Sequence, residues 1–144
     1  MALILTVDDE SSIRRILTRW IQGAGHEALE AESADAALDV MESRPAAVVF
    51  SDIQMPRRDG LWLTAEVRRR YPTTAVVLAT SVSSVAPQVS MQVGVMAYLV
   101  KPFSQKAVLD ALAIALSWHT ETVAAGPRAE DTDEALQQWL ASLE

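Results

Sequence analysis

Several polar residues stand at or just past the ends of apolar runs. Asp8 and Asp9 follow Leu3–Val7, Asp52 ends the run that begins at Ala46, Thr80 follows Ala75–Ala79, and Lys101 follows Ala97–Val100. That set holds three carboxylates, a hydroxyl and an ammonium. Three carboxylates brought within a few ångströms repel one another, so one keeps its proton or a cation sits among them. Oxygen donors with no cysteine or histidine nearby in sequence suit a hard cation, Mg²⁺ (or Mn²⁺), which takes one or two carboxylates and fills its remaining positions with water and phosphate oxygens. A lysine and a threonine can hold the oxygens of a transferred phosphoryl group. A carboxylate can be the nucleophile that receives it. Together these types read as a phosphoryl-transfer site.

The residues meet only if the runs before them are strands of one parallel sheet, because ligands in such sheets bind outside the carboxyl ends of the strands. The runs support this. Leu3–Val7, Ala46–Phe50, Ala75–Ala79 and Ala97–Val100 do not alternate with polar residues, as expected of strands covered on both faces. His26–Ala31 alternates and reads as a strand nearer an edge. Helical patterns lie between. Ile13, Ile16, Leu17, Trp20, Ile21 and Ala24 share one helical stripe, ended by Gly23 and Gly25. Ser33 caps a second helix, with Ala37, Leu38 and Met41 inward, that stops before Pro45. A third spans Gly60–Arg70, a fourth Ser84–Val93 with a thin apolar stripe, and a fifth starts after Ser104 with Val108, Leu109, Leu112 and Leu116 inward. Five strand–helix units predict an α/β three-layer sandwich with right-handed crossovers.

A chain of 144 residues reads as one domain of residues 1–118, followed by a linker over 119–130 and a short acidic C-terminal helix or tail over 131–144. In the tail Asp131 caps, and Leu136, Trp139, Leu140 and Leu143 share a face. The formal net charge of −7 is uneven: residues 119–144 hold six acids and one arginine, and the body is nearly neutral. Neither part has the basic surplus of direct nucleic-acid binding. Arg68, Arg69 and Arg70 read as a solvated helix end. The chain has no cysteine, which excludes disulfides and thiolate metal sites. No apolar run is long enough to span a membrane, and the first strand begins too early for a signal peptide, so a cytoplasmic location is expected.

At this point the sequence resembles a known family, the CheY-like receiver domains of two-component response regulators. The motifs that carry the resemblance are V-D-D at 7–9, F-S-D-I-Q-M-P-R-R-D-G at 50–60, L-A-T-S at 78–81 and A-Y-L-V-K-P-F at 97–103. They come in family order over about residues 3–117. The resemblance implies a doubly wound, flavodoxin-like five-stranded parallel sheet of order 2-1-3-4-5. It implies Asp52 as phosphoacceptor, with Mg²⁺ bound by Asp9, Asp52 and the backbone carbonyl of Gln54, and by Asp8 through a water. Lys101 would pair with Asp52 and then with the phosphoryl group. Thr80 would move its hydroxyl onto a phosphoryl oxygen, and Tyr98 would turn into the space Thr80 vacates. The Lys101–Pro102 bond would be cis. Gln54 and Val82, two residues past Asp52 and Thr80, occupy positions that influence phosphate lifetime in this family, and Ser81 stands where a smaller residue is usual.

The implied partners are a histidine kinase or phosphotransfer protein upstream, and downstream a protein target, an output domain of the same chain, or a second copy after phosphorylation. The switched surface would be the fourth helix, fifth strand and fifth helix. Such a chain is not a turnover enzyme beyond its own phosphorylation and slow dephosphorylation. Two other readings compete. The chain is the N-terminal receiver of a longer regulator, or it is an aspartate-nucleophile phosphatase. The phosphatase class resembles D-x-D, with a second acid two residues on, where this chain has Gln54. Taken alone, Asp8 and Asp9 read as carboxylates at a helix N-terminus, Asp59-Gly60 as a turn and helix start, Tyr98 as a strand aromatic, Trp20 as core, Trp62 as partly exposed near the site, and His26 and His119 as surface residues.

Overall fold

The computed structural model describes residues 1–81 and 95–125. Nine elements lie within them: β1 (Leu3–Val7), α1 (Ser11–Gly23), β2 (Glu27–Ala31), α2 (Ala34–Ser43), β3 (Val48–Asp52), α3 (Gly60–Arg70), β4 (Ala75–Thr80), β5 (Val95–Val100) and α4 (Gln105–Ala125), the last being the helix expected fifth. The expected helix at 84–93 and the expected tail helix at 131–144 lie outside the described residues, as does Val82.

All strand pairs are parallel and the order is β2-β1-β3-β4-β5. This is the doubly wound order. Period-two alternation sends successive side chains to opposite faces. Ile4, Val48, Phe50, Val77 and Leu99 join Leu17 and Ile21 of α1 and Val108, Leu112 and Ala115 of α4 in one core. Leu5, Val7, Val49, Val76 and Leu78 join Ala37 and Met41 of α2 and Leu63 and Val67 of α3 in the other. β3 and β4 are buried along their whole length, which is why their sequences do not alternate. β2 is an edge strand and mostly half-buried.

The local signals explain the helix ends. Ser33 Oγ accepts from Ala36 N at 3.1 Å and caps α2. Gly25, at φ 92, lets its own N–H turn back to Gln22 O at 3.0 Å after α1, a conformation that is costly for other residues. Asp59 caps α3, accepting from Trp62 N at 2.8 Å.

Four expectations are corrected. Ile16 is 41% exposed, so the buried stripe of α1 is narrower than the spacing suggested; Ala24, the residue that ends α1, is exposed too. Arg68 is not solvated but 1% exposed. Its guanidinium donates to the carbonyls of Thr74 and of Pro72 (2.7 Å) and lies 4.9 Å from the ring centroid of Trp118. A buried cation is tolerated when such partners replace its water. Residues 119–125, expected as linker, continue α4, because Trp118 and Thr122 are buried against the body. Finally, the two histidines are not bystanders. His119 Nδ1–H donates to Thr73 O at 2.6 Å, and His26 Nδ1 accepts from Ala2 N at 3.1 Å. Trp20 is half-buried, edge-on to Phe103 at 6.4 Å.

Candidate functional site

The carboxyl ends of β1, β3 and β5 bring four acids and one ammonium together. Asp8 is 2% exposed and Asp52 6%, whereas Asp9 and Glu10 are exposed. The carboxylates of Asp8, Asp9 and Asp52 each offer an oxygen within 4.8 Å of the others. Lys101 Nζ lies 2.8 Å from Asp8 Oδ2, 3.4 Å from Asp52 Oδ2 and 3.8 Å from Glu10 Oε1. Lysine therefore sits nearer Asp8 than Asp52, the partner the resemblance implied. Glu10 was not anticipated; only its place directly after Asp8-Asp9 could have signalled it.

Asp8 and Asp9 are not helix caps. Ser11 begins α1 and Glu10 occupies the cap position. Asp8 Oδ1 instead accepts from Glu10 N at 2.9 Å, which folds the turn after β1. Asp52 Oδ1 accepts from Gln54 N at 3.4 Å, and the Gln54 side chain is exposed. Thr80 ends β4 fully buried, and its carbonyl accepts from Lys101 N at 2.7 Å. Tyr98 is half-buried and in register with Leu78 as Val100 is with Thr80, so Tyr98 and Thr80 share the α2/α3 face of the sheet. The Lys101–Pro102 peptide is cis. Trp62 is half-buried beneath the guanidinium of Arg58, 4.1 Å from its ring centroid. Beyond Asp59, the turn before α3 has a second requirement. A Cβ on Gly60 would stand 2.2 Å from the backbone oxygen of Asp52.

The electrostatics follow from this crowding. Burial, reinforced by the charge of Asp8, pushes the Asp52 carboxyl above the usual carboxylate range, although Lys101 and the Gln54 N–H pull against it. Burial works to discharge Lys101, but its hydrogen bond to Asp8 and the charges of Asp8 and Asp52 outweigh burial and hold the ammonium above its ordinary value. An acid whose pKa is raised by folding binds more protons folded than unfolded, so its ionisation weakens the fold. Stability then falls as pH rises from the usual carboxylate range through the raised value. Without added metal, Asp52→Asn is therefore expected to be more stable than the parent at neutral pH, by on the order of 1 kcal/mol, the scale of one partly screened like-charge contact. The gain should shrink on acidification through that window. Denaturant melts in a chelator at a series of pH values measure it; equal stabilities at neutral pH would contradict the assigned strain.

The donor set fits a hard divalent cation. The oxygens of an octahedral Mg²⁺ shell lie roughly 3–4.2 Å apart, so carboxylates within 4.8 Å need little closure or one intervening water. Asp8, Asp9 and Asp52 supply oxygen only, and their mutual repulsion is what such a cation would relieve.

Comparison with known proteins places the chain in a family. Residues 4–113 match the family described as the response regulator receiver domain. The response regulator protein FleR of Pseudomonas aeruginosa is 39% identical over 113 residues, 78% of this chain and 24% of that protein. The transcriptional regulator NtrC of Klebsiella pneumoniae is 41% identical over 98 residues, 67% of this chain and 21% of that one. The chain thus spans about a quarter of the length of these curated relatives. Among solved structures, the chemotaxis response regulator CheY4 of Vibrio cholerae superposes with a TM-score of 0.73 at 32% identity, covering 78% of this chain and 97% of that one. NtrX of Brucella abortus gives 0.79 at 31% identity over 86% of this chain and 29% of that one. With the fold, the strand order and the family match over residues 4–113 in agreement, the chain belongs to the response regulator receiver domain family.

Proposed function

We propose that this receiver accepts a phosphoryl group on Asp52 from a histidine kinase or phosphotransfer protein, with Mg²⁺ held by Asp8, Asp9, Asp52 and the Gln54 carbonyl. The observation that carries the reading is the convergence of three carboxylates within 4.8 Å beside an ammonium 3.4 Å from Asp52. An Asp52 carboxylate oxygen attacks phosphorus, the bond from phosphorus to the donor's imidazole nitrogen breaks, and the freed imidazole takes a proton. A bound Mg²⁺ would neutralise charge developing on the phosphoryl oxygens. Lys101 supplies a fixed positive charge to the same oxygens, and its place on the end of β5 links the event to that strand. The Thr80 hydroxyl holds a further phosphoryl oxygen, and Tyr98, on the same face of the sheet, follows it inward.

The readout is a protein-interaction surface on β5 and α4. Val100 and Ile114, 44% and 55% exposed, leave apolar surface there for a partner. That partner is a protein: a separate target, a second copy, or an output region of the same regulator. Among the described residues no helix is long and apolar enough to cross a membrane.

Labelling with a small phosphodonor tests the reading. Mg²⁺-dependent incorporation of about one phosphoryl group is expected, lost in Asp52→Asn. Full labelling in that variant would move the acceptor elsewhere.

A further inference from the structure

All four polar groups of Asp8 are engaged. Its N–H donates to Ala31 O at 3.2 Å, its Oδ1 accepts from Glu10 N at 2.9 Å, and its Oδ2 accepts from Lys101 Nζ at 2.8 Å. The fourth group, the backbone carbonyl, accepts from Arg14 Nη1 at 2.5 Å. Arg14 is one turn into α1 with a side chain 15% exposed, and its Nε donates to Glu30 Oε1 of β2 at 3.2 Å. One guanidinium therefore ties the turn that carries Asp8, Asp9 and Glu10 to the neighbouring strand.

We propose that Arg14 is a positioning residue for the cation site, acting through the Asp8 carbonyl. The reason is geometric. Asp9 is exposed and follows Asp8 directly, so its direction depends on the orientation of the Asp8–Asp9 peptide plane. Arg14 holds that plane by its carbonyl. The fork of a guanidinium reaches a carbonyl and a carboxylate at once, and its other end is anchored by Glu30, so the held position is fixed with respect to β2 and not only to α1. A lysine has one nitrogen on a flexible stem and can hold one of the two partners well. Outer partners of metal-binding groups commonly alter affinity about 10- to 100-fold when removed.

The inference rests on the cation-binding reading above, and its test separates the two. Mg²⁺ alone is titrated into the full chain by calorimetry, well below the melting temperature of each variant. The parent is expected to bind. Arg14→Ala is expected to weaken Mg²⁺ about tenfold, Arg14→Lys to recover part of the loss, and Glu30→Ala to lose about threefold, since it leaves the bond to Asp8 but frees its far end. Arg15→Ala, on the exposed side of the same helix, is expected to bind like the parent. Parent-like affinity in Arg14→Ala with normal binding by the parent overturns the positioning role alone. Equal weakening in Arg14→Ala and Arg15→Ala also overturns it, since loss of helix charge would then suffice. Absence of binding by the parent overturns the cation-binding reading, and this inference with it.

Discussion

Lys101→Ala is expected to slow phosphorylation of Asp52 by a small phosphodonor on the order of 100-fold, while Mg²⁺ binding is kept. Nζ stands 2.8 Å from Asp8 and 3.4 Å from Asp52 but is a donor, not a ligand, so its loss leaves the carboxylate oxygens in place. Removing a fixed donor that meets charge developing in a transition state typically costs 10²–10³ in rate. Ground-state cation binding should strengthen, because the ammonium competes for Asp8 and Asp52. Single-turnover labelling at saturating Mg²⁺ measures the rate, and calorimetry measures the affinity. Lost Mg²⁺ affinity with a normal labelling rate would reverse the assignment. Stability without metal should fall, because Asp8, Glu10 and Asp52 would lose their shared counter-charge. The raised Lys101 pKa adds a sign. Its contribution to stability is complete below the ordinary lysine value and disappears as pH climbs through the raised one. Lys101→Ala should lack that alkaline loss.

Gly60→Ala is expected to cost about 2–3 kcal/mol, at the upper end of overpacking penalties, and to lower Tm by roughly 6–12 °C. The added methyl carbon would sit 2.2 Å from Asp52 O, 2.9 Å from Asp52 C and 2.9 Å from Ile53 Cα. These are backbone atoms, so no rotamer change can relieve the contact. Gly60 N also donates to Ile53 O at 2.7 Å, which pins the start of α3 against the end of β3. Relief must come from moving either α3 or the strand end that presents Asp52, so the labelling rate should fall as well. Asp59→Ala gives the contrast. It removes the cap on Trp62 N, costs about 1 kcal/mol and leaves Asp52 where it is. Thermal melts with labelling rates for the two variants distinguish a clash at Asp52 from a weakened helix start. A Gly60→Ala variant as stable and as fast as Asp59→Ala would refute the close approach.

Much of the fold was legible because its signals are local. Unbroken apolar runs identified β1, β3, β4 and β5, and alternation marked β2 as an edge. Ser33 and Asp59 announced the starts of α2 and α3, and Gly25 the end of α1. The meeting of Asp8, Asp9, Asp52 and Lys101 was legible because each stands at or just past a strand end and parallel strands bring such ends together. What escaped were features that depend on a distant partner. Arg68 beside Arg69 and Arg70 looks like a solvated triplet, yet only Arg68 finds the carbonyls of Pro72 and Thr74 and the ring of Trp118. The extension of α4 to Ala125 escaped because Thr122 is buried by tertiary packing, which composition does not report.

The sequence by itself determined which residues form strands and helices and which polar types stand at the strand ends, because those follow from periodicity, capping and chain stiffness over a few residues. Only the tertiary structure decided which of those groups touch. Lys101 meets Asp8 across 93 residues of chain, nearer than it meets Asp52. Arg14 reaches the Asp8 carbonyl, and Gly60 is pressed on Asp52. Such contacts depend on how a twisted parallel sheet sets one strand end beside another, and on which of several competing acids an ammonium finds at hydrogen-bonding distance. No local pattern encodes those distances.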